Sequence, residues 1–196
     1  MIIATGLKES LPNVNGIRDY YGKSILSCPY CDGWELREQS LVLISENNNA
    51  FHMAKMVYQW SKDLVVCTNG NKIISETEEQ VLKRKGIIKE KPILKLSGSD
   101  GKLEKVVFED GTEINRSGGF VTTDLEQPND LAKSLGCEVN KNGRVIVDVL
   151  GRSNVEGVYA AGDVSVVGPS QLVIAAAQGT CAAMGVNSDL TMEEFE

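Results

Sequence analysis

Between residues 41 and 67 four segments follow in order: Leu41-Val42-Leu43-Ile44, Ser45-Glu46-Asn47-Asn48-Asn49, Ala50 to Trp60 and, after Ser61-Lys62-Asp63, Leu64-Val65-Val66-Cys67. The first and last are apolar runs of strand length, and in the third Phe51, Ala54, Val57 and Tyr58 recur at helical spacing. Strand, helix, strand in this order is a βαβ unit, which commits the chain to a parallel sheet with its first turn at the carboxyl edge. Ser75 with Glu78 reads as a capping box opening a further helix, which Gly86 closes.

From Pro92 to Ile114 the pattern changes to alternating strands punctuated by Asp100-Gly101 and Asp110-Gly111, dipeptides that favour tight turns, so a three-stranded antiparallel meander is expected. A strand Phe120-Val121-Thr122 follows Gly118-Gly119. Then come a loop with Pro128, a short helix near Asp130 to Leu135 and a hairpin turning at Asn142-Gly143. The tail reads as a buried strand Gly157-Val158-Tyr159-Ala160-Ala161 ending in Gly162-Asp163, a loop from Val164 to Ser170, and a small-residue helix from Gln171 to about Met184. Gly22-Lys23 and Ser117-Gly118-Gly119 suit crossings between two domains, residues 1-22 with 119-196 forming one and 23-118 an inserted second.

Composition excludes several classes. With 42% hydrophobic and 24% charged residues the chain of 196 is an ordinary globular protein, and no run approaches the roughly 20 apolar residues of a membrane span. A net charge of -7 without a basic stripe disfavours nucleic acid as partner. The first ten residues lack a signal-peptide pattern, and of five cysteines Cys67, Cys137 and Cys181 lie far apart. A cytoplasmic protein with one working pair and three incidental thiols fits this usage.

Cys28-Pro29-Tyr30-Cys31 is that pair. Two intervening residues bring the sulfurs close enough to close a ring and to stabilise one thiolate against the other. Half a zinc site would need a second ligand pair, and the only histidine, His52, falls on the amphipathic helix, where a partly buried structural role is expected; no metal is assigned. Asp32 follows the pair at once, and either supplies the acid or base of thiol-disulfide exchange or simply opens an Asp-Gly turn. At Gly162-Asp163 a glycine ends a buried strand, where the backbone can approach a ligand and the carboxylate can accept sugar or ribityl hydroxyls. The helix starting near Gln171 would aim its free amides at a flavin ring or phosphate.

Three motifs in register carry a resemblance. Ile3-Ala4-Thr5-Gly6, Cys28-Pro29-Tyr30-Cys31-Asp32-Gly33 and Gly157-Val158-Tyr159-Ala160-Ala161-Gly162-Asp163-Val164 resemble, in order and spacing, the thioredoxin-reductase branch of the two-dinucleotide-binding-domain flavoproteins. Gln171 to Gly179 resembles that family's C-terminal helix. The resemblance implies an α/β protein of two three-layer, Rossmann-like domains: a discontinuous one for FAD and an inserted one that binds NADPH and carries the cysteines. Electrons would pass from NADPH through flavin to the disulfide, then to a thioredoxin-like protein or a small dithiol. Carried over by position, Asp163 holds the ribityl chain, and Thr5, Gly6, Gly162, Gln171 and Leu172 complete the flavin site. Cys31 faces the flavin, Cys28 exchanges with substrate and Asp32 is the acid/base. Relatives are usually homodimers joined through their flavin domains.

Two departures stand against the pattern. No Gly-x-Gly-x-x-Gly segment precedes Met1, so the FAD domain is expected to be incomplete, the chain being a fragment or a truncation that needs a partner. The turn at Ser45-Glu46-Asn47-Asn48-Asn49 lacks the glycines that admit dinucleotide phosphates; asparagines tolerate positive φ and can keep its shape, but Glu46 adds charge of the wrong sign. After the next strand Cys67-Thr68-Asn69-Gly70 offers only Lys72 as a cation for a 2′-phosphate. Weak or absent NADPH binding is predicted. Electrons would then come as in the dithiol oxidases or the ferredoxin-dependent members of the family. The rival expectation is a non-catalytic remnant kept for dimerisation or partner binding.

Overall fold

In a computed structural model, residues 1–85, 87–165 and 170–196 are described. The helix stop expected at Gly86 and residues 166–169 of the expected loop lie outside them. From the amino end the chain forms β1 (Ile2–Ile3), β2 (Lys8–Ser10), α1 (Ile17–Tyr20), β3 (Ile25–Leu26) and α2 (Pro29–Asp32). The βαβ unit follows as β4 (Leu41–Ile44), α3 (Ala50–Trp60) and β5 (Leu64–Cys67), and then α4 (Glu76–Arg84) and β6 (Ile88–Lys89). The meander is β7 (Ile93–Ser99), β8 (Lys102–Phe108) and β9 (Glu113–Asn115). Next come β10 (Gly118–Val121), β11 (Asp124–Glu126), α5 (Leu131–Ser134), β12 (Tyr159–Ala160), a 3-10 turn at Gly162–Val164, and α6 (Leu172–Phe195).

The chain divides into two compact units, Leu11–Asp124 and Met1–Ser10 with Leu125–Glu196. In the first of these, five parallel-paired strands run in the order β3-β10-β4-β5-β6. Every residue of β4 and β5 is buried, and the alternation of side chains sends them to two faces. Val42, Ile44, Val65 and Cys67 pack with Leu96, Leu103, Val106 and Phe108 of the meander. Leu41, Leu43, Leu64, Val66 and Phe120 pack with Ala54 and Val57 of α3 and Leu82 of α4. The result is three layers, meander on sheet on helices. The capping box is present, the Ser75 N–H donating to Glu78 Oε2 at 3.1 Å.

The crossings between units fall at Ser10/Leu11 and Asp124/Leu125, not at Gly22 and Gly118-Gly119. Gly22 is a turn inside the sheet-bearing unit, whose core takes in Ile17 and Tyr20 just before it. Gly118 and Gly119 lie in β10, inside the sheet, Gly118 paired with Leu41 and Gly119 with both Val42 and Ile25. A Cβ on Gly119 would stand 1.9 Å from the Val42 carbonyl oxygen, so the glycine serves strand packing rather than a hinge.

In the other unit β1 and β12 pair in parallel, Ile2 with Tyr159 and Ile3 with Ala160, and β2 pairs with β11. Ile3, Ala132, Val145, Val158, Ala160 and Val164 form its core. The Asn142-Gly143 turn is there, held by Asn140 Oδ1 accepting from the Asn142 and Arg144 amides at 2.9 and 3.0 Å. It closes a short antiparallel pair, as expected: Val139 bridges Val145, the Asn140 N–H donates to Arg144 O and the Ile146 N–H to Glu138 O, both at 2.9 Å, while the outward-facing Val145 N–H donates to Val164 O at 2.8 Å. The last helix runs on to Phe195, well past Met184. Gly185 does not stop it, because Leu150 O would lie 2.6 Å from a Cβ there and the close approach needs glycine. One turn later Asp189 is gripped by Arg152 (Nε 2.8 Å, a second guanidinium nitrogen 2.7 Å) and by the Tyr159 hydroxyl at 2.7 Å. No helix among the described residues is long and apolar enough to cross a membrane.

Candidate functional site

Cys28 and Cys31 are joined in a disulfide, their Cα atoms 5.3 Å apart. Cys28 is the extended N-cap of α2 and Pro29 takes the first helical position, where its missing N–H costs nothing and its fixed φ favours the turn. The amides of Cys31 and Asp32 both donate to the Cys28 carbonyl at 3.1 Å, so the tight turn holds the two Cβ atoms on one side. Cys31 is exposed, Cys28 and Asp32 are half-buried, and Tyr30 (76% exposed) and Trp34 (61%) stand in solvent beside them. The Arg37 guanidinium lies 3.9 Å from the Trp34 ring centroid. A thiol-disulfide centre needs this combination of a rigid base and an accessible sulfur.

The base is built partly by a residue that the local pattern does not reveal. Gly33 is buried, and a Cβ there would lie 2.3 Å from Trp60 Nε1 and 2.4 Å from the Pro29 carbonyl oxygen. Trp60, the last residue of α3, therefore closes directly on the end of α2. No signal near the cysteines announces a partner so distant in sequence. Burial, with the Glu35 charge adding to it, raises the Asp32 pKa above the ordinary aspartate value. The carboxyl group accordingly keeps its proton to higher pH than a free one.

The remaining thiols are separate from this centre. Cys67 is fully buried at the end of β5, and burial pushes its thiol up to about 12. Cys137 is buried and Cys181 partly exposed. His52 is exposed rather than partly buried, and with Tyr30, Met56 and Trp60 it lines a cavity of about 260 Å³ beside α2. Among the described residues no group of three or more His, Cys, Asp or Glu converges as metal ligands would.

At the carboxyl edge of the parallel sheet the turn after β4 is occupied by its own side chains. Ser45 Oγ donates to Asn47 O at 3.3 Å and accepts from Thr122 Oγ1 at 2.7 Å. Asn47 Oδ1 accepts the Asn49 amide at 3.1 Å, and Asn47 Nδ2 donates to Asp124. Asn69, after β5, donates to Glu46 Oε1 at 2.5 Å and accepts the Ile93 amide at 2.6 Å. Positive φ appears at Asn69 (51°), not at any residue from 45 to 49, so the asparagines do not imitate a glycine turn. A phosphate approaching here meets the Glu46 carboxylate where dinucleotide sites present backbone amides.

The other group of singled-out residues gathers in the unit that carries α6. Because β1 and β12 run parallel in adjacent register, Thr5-Gly6 and Gly162-Asp163 both follow the carboxyl ends of neighbouring strands. Gly6 and Gly162 have φ of 64° and 78°, and the Gly162 N–H donates to Gln178 Oε1 at 2.8 Å. Asp163 is half-buried in the 3-10 turn and Thr5 is exposed. Gln171 caps α6, whose first residues Leu172 and Val173 are 89% and 74% exposed. The structure thus brings Cys28, Cys31 and Asp32 together in one unit, and Thr5, Gly6, Gly162, Asp163, Gln171 and Leu172 in the other.

Comparison with known proteins gives this arrangement its context. The family model described as pyridine nucleotide-disulphide oxidoreductase matches residues 1–179. The chain is 31% identical to the thioredoxin reductase tcpT of Claviceps purpurea over 174 residues, 83% of the chain and 54% of that protein. It is 28% identical to the thioredoxin reductase of Helicobacter pylori over 211 residues, 97% of the chain and 65% of that protein. Among solved structures, a Bacillus anthracis protein assigned as thioredoxin reductase TrxB superposes with a TM-score of 0.92 at 46% identity, covering 98% of the chain and 65% of its own. The chain spans a little over half to just under two thirds of the length of these proteins.

Proposed function

The chain belongs to the pyridine nucleotide-disulphide oxidoreductases, in their thioredoxin-reductase-like branch, and on that premise we propose that it is a flavin-dependent thiol-disulfide oxidoreductase working through Cys28 and Cys31. The observation that carries the proposal is the Cys28–Cys31 disulfide on a turn that leaves Cys31 and two aromatic side chains exposed. By the same resemblance the partner is a thioredoxin-like protein or a small dithiol, and the working assembly a cytoplasmic homodimer.

FAD, the cofactor the family implies, supplies the two-electron exchange with the disulfide when bound. Residues of the α6 unit fit it: two positive-φ glycines end adjacent parallel strands, Asp163 is available to ribityl hydroxyls, and exposed Leu172 and Val173 offer an apolar face for a ring. In this proposal Thr5, Gly6, Gly162, Asp163, Gln171 and Leu172 hold the cofactor. Cys31 faces it and Cys28 exchanges with substrate. In the reducing direction the pair gains two electrons; the Cys28 thiolate then attacks a substrate disulfide, and Cys31 attacks the mixed disulfide so formed. The substrate leaves as a dithiol while the Cys28–Cys31 bond is restored. Asp32, with its raised pKa, holds the proton that one departing sulfur needs, and takes it back when the steps run in reverse.

A second proposal concerns the electron supply. The Glu46–Asn69 hydrogen bond and the self-filled turn after β4 support weak or absent NADPH binding, and so a dithiol oxidase or a ferredoxin-dependent enzyme rather than an NADPH-driven reductase. Rapid mixing of FAD-loaded protein with NADPH tests this, since flavin reduction at the rates usual for reductases would sink it. The roles of the cysteines are tested by trapping. Cys31→Ser should hold a stable mixed disulfide with cystamine at Cys28, with free cysteamine released, and a stable adduct formed only by Cys28→Ser would reverse the assignment.

A further inference from the structure

Away from the disulfide, α3 and α4 bound a groove of about 290 Å³. Its floor is apolar, with Ala54, Leu82 and Ile87 buried and Tyr58 partly so. Its rim is cationic: Lys55, Lys62 and Lys85 all line it, in a chain whose net charge is -7. The ammonium groups of Lys62 and Lys85 stand over one and the same ring, 4.3 and 4.6 Å from the Tyr58 centroid. Among the described residues none of the three lysines takes part in a salt bridge. Glu78 is the carboxylate that feels Lys55, but it is engaged by the Ser75 cap.

Two like charges held close to one ring repel each other, and a carboxylate bound within reach of both offsets that cost. Ligand sites of apolar lining with a few placed polar groups begin at roughly 300 Å³, so this groove suits one or two rings or a short alkyl chain, not a folded partner. We propose that the groove binds a small amphipathic carboxylate, its apolar body against Tyr58 and Leu82 and its carboxylate between Lys62 and Lys85. The site uses no residue of the redox pair or of the flavin-side group.

The test is a titration of the 196-residue chain with 2-naphthoate and with its neutral counterpart 2-naphthalenemethanol, followed by amide NMR shifts. Naphthoate should give saturable shifts confined to α3, α4 and their flanks, and the alcohol should bind about fivefold to tenfold more weakly, the effect of two partly exposed charge contacts. Replacing Lys62→Gln and Lys85→Gln together should erase the preference, and Val81→Trp, which fills the groove, should erase both. Equal affinity for the two probes, shifts centred elsewhere, or a preference that survives the lysine substitutions would overturn the proposal. Both lysines are on the surface, so the double variant keeps the test valid even if Val81→Trp does not fold.

Discussion

Gly33→Ala offers a quantitative test of how the redox turn is held. The new methyl group would stand 2.3 Å from Trp60 Nε1 and 2.4 Å from the Pro29 carbonyl oxygen. Ordinary contact distances are about 3.5 to 4 Å, so roughly 1 Å must be opened on two sides at once. The Trp60 ring can tilt, but the Pro29 carbonyl belongs to the turn that carries the cysteines, and it already accepts the Gly33 amide at 3.0 Å. Overpacking costs about 1 to 3 kcal/mol, and with backbone as one of the two obstacles the upper end is expected. Urea unfolding of the oxidised protein should therefore show a loss of about 3 kcal/mol at unchanged m-value. In a Trp60→Leu background the penalty should shrink by about 1 kcal/mol or more, a coupling that a double-mutant cycle reads directly. A neutral Gly33→Ala, or a penalty indifferent to Trp60, would refute the claim that Trp60 seats the redox turn.

Phe120→Ala empties a fully buried site between the sheet and α3, and should cost about 3 to 5 kcal/mol in urea unfolding. With the disulfide intact, a brief treatment with iodoacetamide followed by mass spectrometry should label Cys181 and leave Cys67 and Cys137 untouched, since those two are buried and the Cys67 thiol is pushed up to about 12. Asp32 has its pKa raised in the fold, so its contribution to stability is full below the ordinary aspartate range and is lost as pH rises through the folded-state value. Stability-against-pH curves should lose that component in Asp32→Asn, and identical pH dependence in the two proteins would count against the raised pKa. Asp189→Ala releases the Arg152 and Tyr159 grip on α6, so amide hydrogen exchange beyond Gly185 should accelerate while β4 and β5 stay protected.

What the sequence reveals follows from how local each cause is. The βαβ unit, the meander turns and the Ser75 cap are written in neighbouring residues, and the structure forms them where the pattern puts them. The Cys28–Cys31 pair is equally local, because two intervening residues suffice to set its geometry. The extent of α6 is not, since what carries the helix past Gly185 is Leu150, Arg152 and Tyr159, contacts made some thirty or more residues earlier in the chain. The glycines at 118 and 119 look like a linker by composition and are a buried strand by contact with Val42 and Ser24. In the candidate site, the missing glycines of the β4 turn are visible in sequence, whereas the Glu46–Asn69 bond that closes it joins the ends of two strands and shows only in three dimensions. Trp60 against Gly33 belongs to the same class.

The central claim is that the Cys28–Cys31 disulfide exchanges electrons with a flavin held by the same protein. Its most direct test is an anaerobic dithiol titration of the FAD-loaded protein, followed by the flavin's visible absorbance, in the wild type, Cys28→Ser and Cys31→Ser. The wild type should bleach as dithiol is added, and neither variant should do so on the same timescale. Bleaching at the wild-type rate in both variants would show that electrons reach the flavin without the pair, and would contradict the account.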